Sequence, residues 1–173
     1  MINVFAVPIL GNLAARFMAS RNREAEQEAI DVLVPGPRDA VLVIGFGPGV
    51  GIELLADAVP HGWIAGVDPA QPMVRAATMR NRDGVARGQV HLEPATAADL
   101  SWGAATFDGA LAVNSIQMWE PLDRSLAEVA ARPSPGRRLV GQHRADVGGG
   151  FNAAERWTGR AEDGTAVGMT ARR

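Results

Sequence analysis

Four glycines at alternate positions follow a short apolar run in the first third of the chain. Gly45, Gly47, Gly49 and Gly51 lie in the segment VLVIGFGPGVG. Because glycine has no β-carbon, such a turn between a strand and a helix lets the backbone approach a ligand closely. The helix that begins near Gly49 would also direct unpaired amide groups and the positive end of its dipole toward an anionic group. This chemistry is typical of a site for a nucleoside cofactor.

One acid stands where a ribose acceptor is expected. Asp68 ends the apolar segment Trp63 to Val67, about 20 residues after the glycines, and such an acid accepts hydrogen bonds from ribose hydroxyls. Ligands of open α/β sheets lie at the carboxyl ends of the strands, so the turn and the acid are predicted to share one crevice. A dinucleotide is disfavoured, because the position three residues after Gly47 is Val50 and not glycine. The alternative is that the glycines form only a tight turn.

The elements that must position these residues alternate along the chain. Short apolar runs predict buried strands, and helical spacing of apolar residues predicts helices between them. Such alternation predicts a doubly wound α/β fold with a mostly parallel sheet and helices on both faces. The predicted strands are Val41–Ile44, Trp63–Val67, Val90–Glu93, Gly109–Val113 and Arg138–Gln142, and the predicted helices are Ile52–Val59, Met73–Arg82 and Leu122–Ala131, with a turn at Asp83–Gly84.

Both ends of the chain add elements to this core. Apolar residues at helical spacing predict one helix from Ile9 to Met18 and another from Ala25 to Leu33. After Arg144 the pattern weakens, and we expect a helix over Phe151–Trp157 and a strand over Thr165–Thr170. The region after strand five is short, which predicts truncated or remodelled final strands.

The chain is therefore expected to form a single domain. Within it, residues 1–35 would supply N-terminal cap helices, residues 38–144 the cofactor-binding core and residues 145–173 a short C-terminal region.

Composition excludes several classes of function. The formal net charge is −2 and cysteine is absent, so a phosphate-backbone partner, a disulfide framework and a thiolate metal site are all disfavoured. We expect no nucleic-acid partner and no metal. No apolar run approaches the roughly 20 residues that span a bilayer, so we expect a cytoplasmic protein without a membrane partner.

The motifs together resemble the class I S-adenosylmethionine-dependent methyltransferases, in particular the bacterial small-molecule group that includes ubiquinone and menaquinone methylases. VLVIGFGPG resembles the first motif of this family and GVDPAQPMVRAA the second, while FDGALAVNSIQMW and SPGRRLV resemble the fourth-strand motif and the turn into strand five. The likeness covers about Gly11 to Gln142. It implies a Rossmann-like fold, S-adenosylmethionine as cofactor and S-adenosylhomocysteine as product.

The resemblance also implies a set of cofactor-binding residues, in which those after the second acid flank the adenine and those after strand four border the methionine end and the substrate. The set is Gly45, Phe46, Gly47, Gly49, Asp68, Pro69, Met73, Thr96, Ala97, Asn114 and Ser115. Two positions depart from the family pattern. Val43 stands where an acid is common, and Thr96 stands where an acid usually approaches the adenine amino group. Asp99 is either a displaced substitute for the latter or a surface residue.

Methyl transfer needs no nucleophilic protein residue, because alignment of the two reactants supplies much of the rate. An oxygen acceptor often needs a general base, and the candidates are His143 and Glu120. Glu120 has an alternative interpretation as a first-turn charge of the following helix. Met118 and Trp119 either line an acceptor pocket or pack in the core.

The leading hypothesis is a methyltransferase that acts on a small molecule, such as a secondary metabolite or a quinone-like ring. One alternative is a remodelled relative that catalyses a non-methyl reaction such as cyclisation. Another is a non-catalytic interaction subunit whose sheet edge or N-terminal helices pack on another chain. Association as a homodimer or with a partner subunit stays open.

Overall fold

The protein forms a seven-stranded sheet with helices on its faces. The computed structural model describes residues 23–147, 151–160 and 168–171. The strands are β1 (Ala40–Ile44), β2 (Trp63–Val67), β3 (Val90–Glu93), β4 (Phe107–Val113), β5 (Pro133–Val147), β6 (Phe151–Arg160) and β7 (Gly168–Ala171). The helices are α1 (23–33), α2 (Val50–Ala58), α3 (Gln71–Arg80), α4 (Arg82–Ala86) and α5 (Leu122–Ala130), with a 3-10 turn at Ile116–Met118.

The strand order is β3-β2-β1-β4-β5-β6-β7. Strands β1 to β5 are parallel to one another, and all five residues of β1 are buried, as expected for a central parallel strand that is covered on both faces. The chain runs outward from β1 through β2 to β3 and then returns to place β4 on the other side of β1. The sheet therefore has its topological switch point between β1 and β4, where open α/β sheets hold ligands at the strands' carboxyl ends. The predicted α/β class with Rossmann-like topology is confirmed.

Each face of the sheet has its own apolar core. On one face α1 and α2 pack over the strands, with Ile30, Val43 and Ile52 in one buried cluster. On the other face Leu42, Phe107 and Val129 belong to a second cluster. The alternation of Leu42 and Val43 between the two clusters follows from the two-residue period of a strand.

The region after β5 differs from expectation. Residues Phe151–Arg160 form a strand, so the predicted helix over Phe151–Trp157 is wrong. β6 pairs antiparallel with β5 from Arg138↔Arg160 to Val147↔Phe151, and this long hydrogen-bonded ladder outweighs a weak local helical pattern. β7 then adds a second antiparallel strand, so two strands follow β5 where truncated or remodelled strands were expected. It overlaps the predicted strand at residues 168–170.

The segment after α3 is also different, because α4 covers Asp83–Gly84, where a turn was predicted. The physical reason is that the amides of Val85 and Arg87 donate to the carbonyls of Asn81 and Asp83, at 3.0 and 3.1 Å, which closes a helical turn. Gly84 lets this turn pack closely on β3, since a β-carbon there would lie 2.8 Å from Val90 Cγ2. Of the two predicted N-terminal helices, the second corresponds to α1, and the first lies outside the described residues. No helix within the described ranges is both long and apolar enough to cross a bilayer.

Candidate cofactor site

The tips of β1 and β2 are joined by one carboxylate. The backbone amide of Gly47 donates to Asp68 Oδ2 at 2.9 Å, and the amide of Ala70 donates to Asp68 Oδ1 at 2.9 Å. Asp68 is buried, with 7% of its surface exposed. A carboxylate offers about four lone-pair sites, so each oxygen keeps capacity for one more donor. The glycine turn and the acid therefore converge, as the sequence predicts.

At two positions of the turn, glycine is required because a side chain would collide with a neighbouring residue. A β-carbon on Gly45 would collide with the β-carbon of Ser115, and one on Gly49 would lie 2.7 Å from the β-carbon of Ala77. Both glycines have positive φ, +70° and +83°, where side chains are strained. Gly49 does not line the cavity described below, so its missing side chain serves the packing of α2 against α3 rather than ligand approach.

Gly47 is the glycine of this turn whose missing side chain leaves empty space. It has a φ of +53°, and a β-carbon there would meet nothing within 4 Å. The residue also lines the large cavity at this edge of the sheet. Close approach of a ligand to the backbone is therefore possible at Gly47 and would be lost on adding a side chain.

The tip of β4 is tied to the tip of β1. Ser115 Oγ donates to the carbonyl of Ile44 at 2.7 Å, and the residue is 2% exposed. Its hydroxyl hydrogen is therefore already used in a hydrogen bond to the backbone. Asn114 adopts a left-handed conformation with φ of +53°, a geometry that asparagine tolerates better than most residues. This turn brings both residues to the cavity wall.

A cavity of about 530 Å³ lies between these three strand tips. Its volume is within the range of small-molecule and cofactor sites. All of the predicted cofactor residues except Gly49 line it, together with the predicted base Glu120. The lining residues are Glu26, Ile44, Gly45, Phe46, Gly47, Pro48, Val67, Asp68, Pro69, Ala70, Met73, Ala95, Thr96, Ala97, Val113, Asn114, Ser115, Met118, Trp119 and Glu120.

The charge of this wall has one sign. Glu26, Asp68 and Glu120 contribute three carboxyl groups, and no described lining residue is Arg, Lys or His. Such a wall suits a ligand with cationic groups. A nucleoside that carries a sulfonium and an ammonium group, as S-adenosylmethionine does, fits both the acid at the β2 tip and the cradle at Gly47.

Glu26 was not among the predicted site residues. It lies on α1, is 9% exposed, and its Oε2 has no hydrogen-bond partner in the described part of the chain. Burial raises the pKa of the Glu26 carboxyl to about 8, because a charged carboxylate is disfavoured away from water. One sequence signal could have revealed it, since Glu26 stands on the apolar stripe of the helix with Ala29, Ile30 and Leu33, at helical spacing.

The predicted general bases differ in what the structure describes. Glu120 is exposed and lines the cavity, but α5 begins at Leu122, after Pro121. The interpretation of Glu120 as a first-turn charge is therefore wrong, and Asp123 occupies that turn. His143 lies on β5, with its backbone opposite Glu155 of β6. Its side chain lies outside the described residues, so its role stays a prediction.

The structure also decides between the alternatives that the sequence left for Met118 and Trp119 and for Asp99. Trp119 is 7% exposed and belongs to the core while also lining the cavity, and Met118 is 68% exposed at the same cavity. Asp99 has an 87% exposed side chain, 3.9 Å from Arg124. It is a surface residue and does not replace the acid that is absent at Thr96.

An open, doubly wound sheet with a glycine turn and an acid at adjacent strand tips defines the Rossmann-like class of α/β folds. Residues 41–136 match the family model described as a methyltransferase domain. The chain belongs to this family, among the class I S-adenosylmethionine-dependent methyltransferases.

Known proteins are similar to the chain in sequence or in fold. The chain is 32% identical over 108 residues to the O-methyltransferase cnsE of Penicillium expansum. The aligned region covers 62% of this chain and 39% of that protein. The crystal structure of the [4+2]-cyclase SpnF is similar with a TM-score of 0.64 and 22% identity, over 74% of this chain and 48% of SpnF.

Geranyl diphosphate C-methyltransferase from Streptomyces coelicolor, solved with Mg²⁺, geranyl diphosphate and S-adenosylhomocysteine, is similar with a TM-score of 0.63 and 17% identity, over 75% of this chain and 46% of that one. The chain thus spans less than half the length of each of these three proteins.

Proposed function

We propose that the protein is an S-adenosylmethionine-dependent methyltransferase that acts on a small-molecule acceptor. The observation that carries the proposal is the convergence of Gly47 and Asp68 on a single cavity of about 530 Å³. A nucleoside site requires a glycine whose backbone a ligand can approach and an acid that can accept further hydrogen bonds, and both are present here.

Each end of the bound cofactor has a candidate partner. Asp68 accepts hydrogen bonds from the ribose hydroxyls through the lone pairs that Gly47 and Ala70 leave free. Met73 and Thr96 flank the adenine, together with Pro69 and Ala97, since all four line the cavity and the family resemblance places them near this end of the cofactor. The first turn of α2 offers unpaired amides to the carboxylate of the amino-acid end.

When bound, S-adenosylmethionine supplies an electrophilic methyl group on a sulfonium. In the transfer, the acceptor oxygen would bond to the methyl carbon while the carbon–sulfur bond breaks and leaves its electron pair on sulfur. The chain has only to hold the acceptor in line and receive its proton. We propose Glu120 as that proton acceptor, because it is a carboxyl group at the open side of the cavity beside Met118 and Trp119.

The relative cnsE supports an oxygen acceptor, since it is named as an O-methyltransferase. The cavity volume supports a small-molecule acceptor, as does the geranyl diphosphate bound to the C-methyltransferase of similar fold from Streptomyces coelicolor. A cavity wall that holds Asp68 and Glu120 and no described Arg or Lys is unfavourable for a nucleic-acid acceptor, whose backbone is anionic.

A second candidate function is a cyclisation on the same scaffold. The similarity of the fold to the [4+2]-cyclase SpnF favours it. Such a protein would bind the cofactor without consuming its methyl group.

Calorimetry with S-adenosylmethionine and S-adenosylhomocysteine, followed by transfer of a labelled methyl group to a panel of phenols, quinols and carboxylic acids, tests the proposal. We expect binding and label transfer, with Glu120→Gln lowering kcat by about 10²-fold or more and Asp123→Asn, on the adjacent helix turn, leaving it unchanged. Cofactor binding without transfer to any acceptor would favour the cyclase, and no binding at millimolar ligand would refute both functions.

A further inference from the structure

The acid on α1 is the part of the cavity that the predicted site leaves unexplained. Glu26 lines the cavity, and its carboxyl packs against Gly51, where a β-carbon would collide with Oε2. A carboxyl oxygen that is buried without a hydrogen bond is unfavourable. Glutamate also interrupts the apolar stripe of α1, where an apolar residue would pack at no such penalty.

The position of this acid relative to α2 limits which ligand group it can meet. Gly51 belongs to the first turn of α2, which starts at Val50. A carboxylate of a bound amino acid is drawn to the free amides of such a turn. The ammonium group of that amino acid shares the same α-carbon as its carboxylate, so it must lie near whatever packs on this turn.

We propose that Glu26 is a cofactor-binding residue whose carboxylate pairs with the α-ammonium group of the amino-acid end of S-adenosylmethionine. This inference rests on the proposed function and names the residue that recognises one end of its cofactor. The side chain of Val43 points to the same face of the sheet, is buried and has no polar atom, so it cannot serve this group.

The charges around Glu26 are compatible with this pairing. Glu53, further along α2, lies 3.2 Å from Arg23 and 3.6 Å from Arg80, so it is already compensated. Asp68 accepts two backbone amides, and Glu120 is exposed. No described cation lines the cavity to stabilise the charged form of Glu26, so a cationic group of the ligand would be its partner.

A protonation change follows from this arrangement. Because burial raises the pKa of Glu26 to about 8, the carboxyl is mostly neutral below that pH when no ligand is bound. An ammonium group beside it favours the charged form and lowers the pKa. Binding at pH 6.5 should therefore release close to one proton for each ligand bound.

Calorimetry of S-adenosylhomocysteine at pH 6.5, in phosphate and in imidazole, measures that proton, because the observed heat changes with the ionisation enthalpy of the buffer. The full chain is compared with Glu26→Gln, a neutral isostere, and with Glu24→Gln, which changes an exposed acid on the same helix. A second ligand, the analogue of S-adenosylhomocysteine that lacks only the α-amino group, completes a double-mutant cycle.

We expect Glu26→Gln to weaken S-adenosylhomocysteine binding by about 10- to 100-fold, to abolish proton release and to leave affinity for the deaminated analogue nearly unchanged. Glu24→Gln should behave as the unchanged chain. Equal affinity in Glu26→Gln, or proton uptake by the unchanged chain, would overturn the assignment of Glu26 while leaving the proposed function intact. Absence of any binding by the unchanged chain would instead overturn both.

Discussion

The amide of Gly47 donates a 2.9 Å hydrogen bond to the carboxylate of Asp68, across the tips of two adjacent parallel strands. One bond therefore shapes the glycine turn and orients the acid toward the cavity. The two residues are 21 positions apart in the sequence, so the relationship depends on the parallel pairing of β1 with β2, from Ala40↔Trp63 to Ile44↔Val67.

Replacing the acid should affect both folding and binding. Asp68→Ala removes the acceptors of two backbone amides and of the ribose hydroxyls, and hydrogen bonds to a charged group contribute about 1.5–3 kcal/mol. We expect S-adenosylhomocysteine affinity to fall by about 30-fold or more and the Tm to decrease, as measured by calorimetry and thermal unfolding. Asp99→Ala, at an exposed acid, should change neither. An unaltered affinity in Asp68→Ala would count against the site.

Substitution of Gly47 by alanine, compared with the same change at Gly88, should distinguish blocked ligand approach from backbone strain. Gly47→Ala and Gly88→Ala both place a β-carbon at positive φ, +53° and +71°, where nothing lies within 4 Å. Each should lose about 1–2 kcal/mol of stability. Only Gly47 lines the cavity, so only Gly47→Ala should weaken cofactor binding, by about tenfold or more. Equal affinities in the two variants would contradict the assignment.

The buried acid of α1 should make stability depend on pH. The folded-state pKa of Glu26 is about 8 against 4.5 for the unfolded chain, so between these values the folded state holds a proton that the unfolded state releases. Stability therefore falls as pH rises through this window.

Denaturant unfolding of the ligand-free protein at pH 5 and pH 8.5 measures this effect. Between these two pH values we expect the free energy of unfolding to fall by about 2–5 kcal/mol less in Glu26→Gln than in the unchanged chain. The estimate follows from about 1.36 kcal/mol for each unit by which the pKa is shifted. Glu24→Gln is the matched control. Parallel pH profiles for the chain and Glu26→Gln would show that the carboxyl is not buried in its neutral form.

The end of α1 carries a residue that its conformation does not favour. Val34 has a φ of +52°, is 67% exposed, and donates its amide to the carbonyl of Ile30 at 3.0 Å. Glycine is the usual residue at a left-handed helix end. We expect Val34→Gly to stabilise the protein by about 1 kcal/mol, because relief of strain exceeds the added chain entropy.

Ala131 provides the opposite case, since it follows α5 with a φ of −77°. There glycine relieves no strain, and Ala131→Gly should destabilise by about 0.5–1 kcal/mol. Thermal or denaturant unfolding compares the two. Destabilisation by Val34→Gly would contradict the proposed strain.

Local patterns were sufficient for the central elements and for the chemistry at their tips. The five parallel strands, the glycine turn and Asp68 follow from apolar runs, missing β-carbons and a fixed spacing, all of which are properties of short segments. Chirality and the need to cover both faces of a parallel sheet then restrict the topology. The family resemblance agrees with the match over residues 41–136.

Non-local contacts decided the rest. Phe151–Arg160 becomes a strand only because β5 offers an edge to pair with, and no local signal carries that information. Gly47 and Gly49 are equivalent in the sequence, yet one faces an open cavity and the other faces Ala77.

The burial of Glu26 is a further example. The sequence fixes its place on the helix, but only the packing of α1 against the first turn of α2 removes it from water and turns it toward the cavity. Residue types determine which chemistry is available, whereas burial and proximity depend on segments that are distant along the chain, so the tertiary structure alone selects the groups that meet.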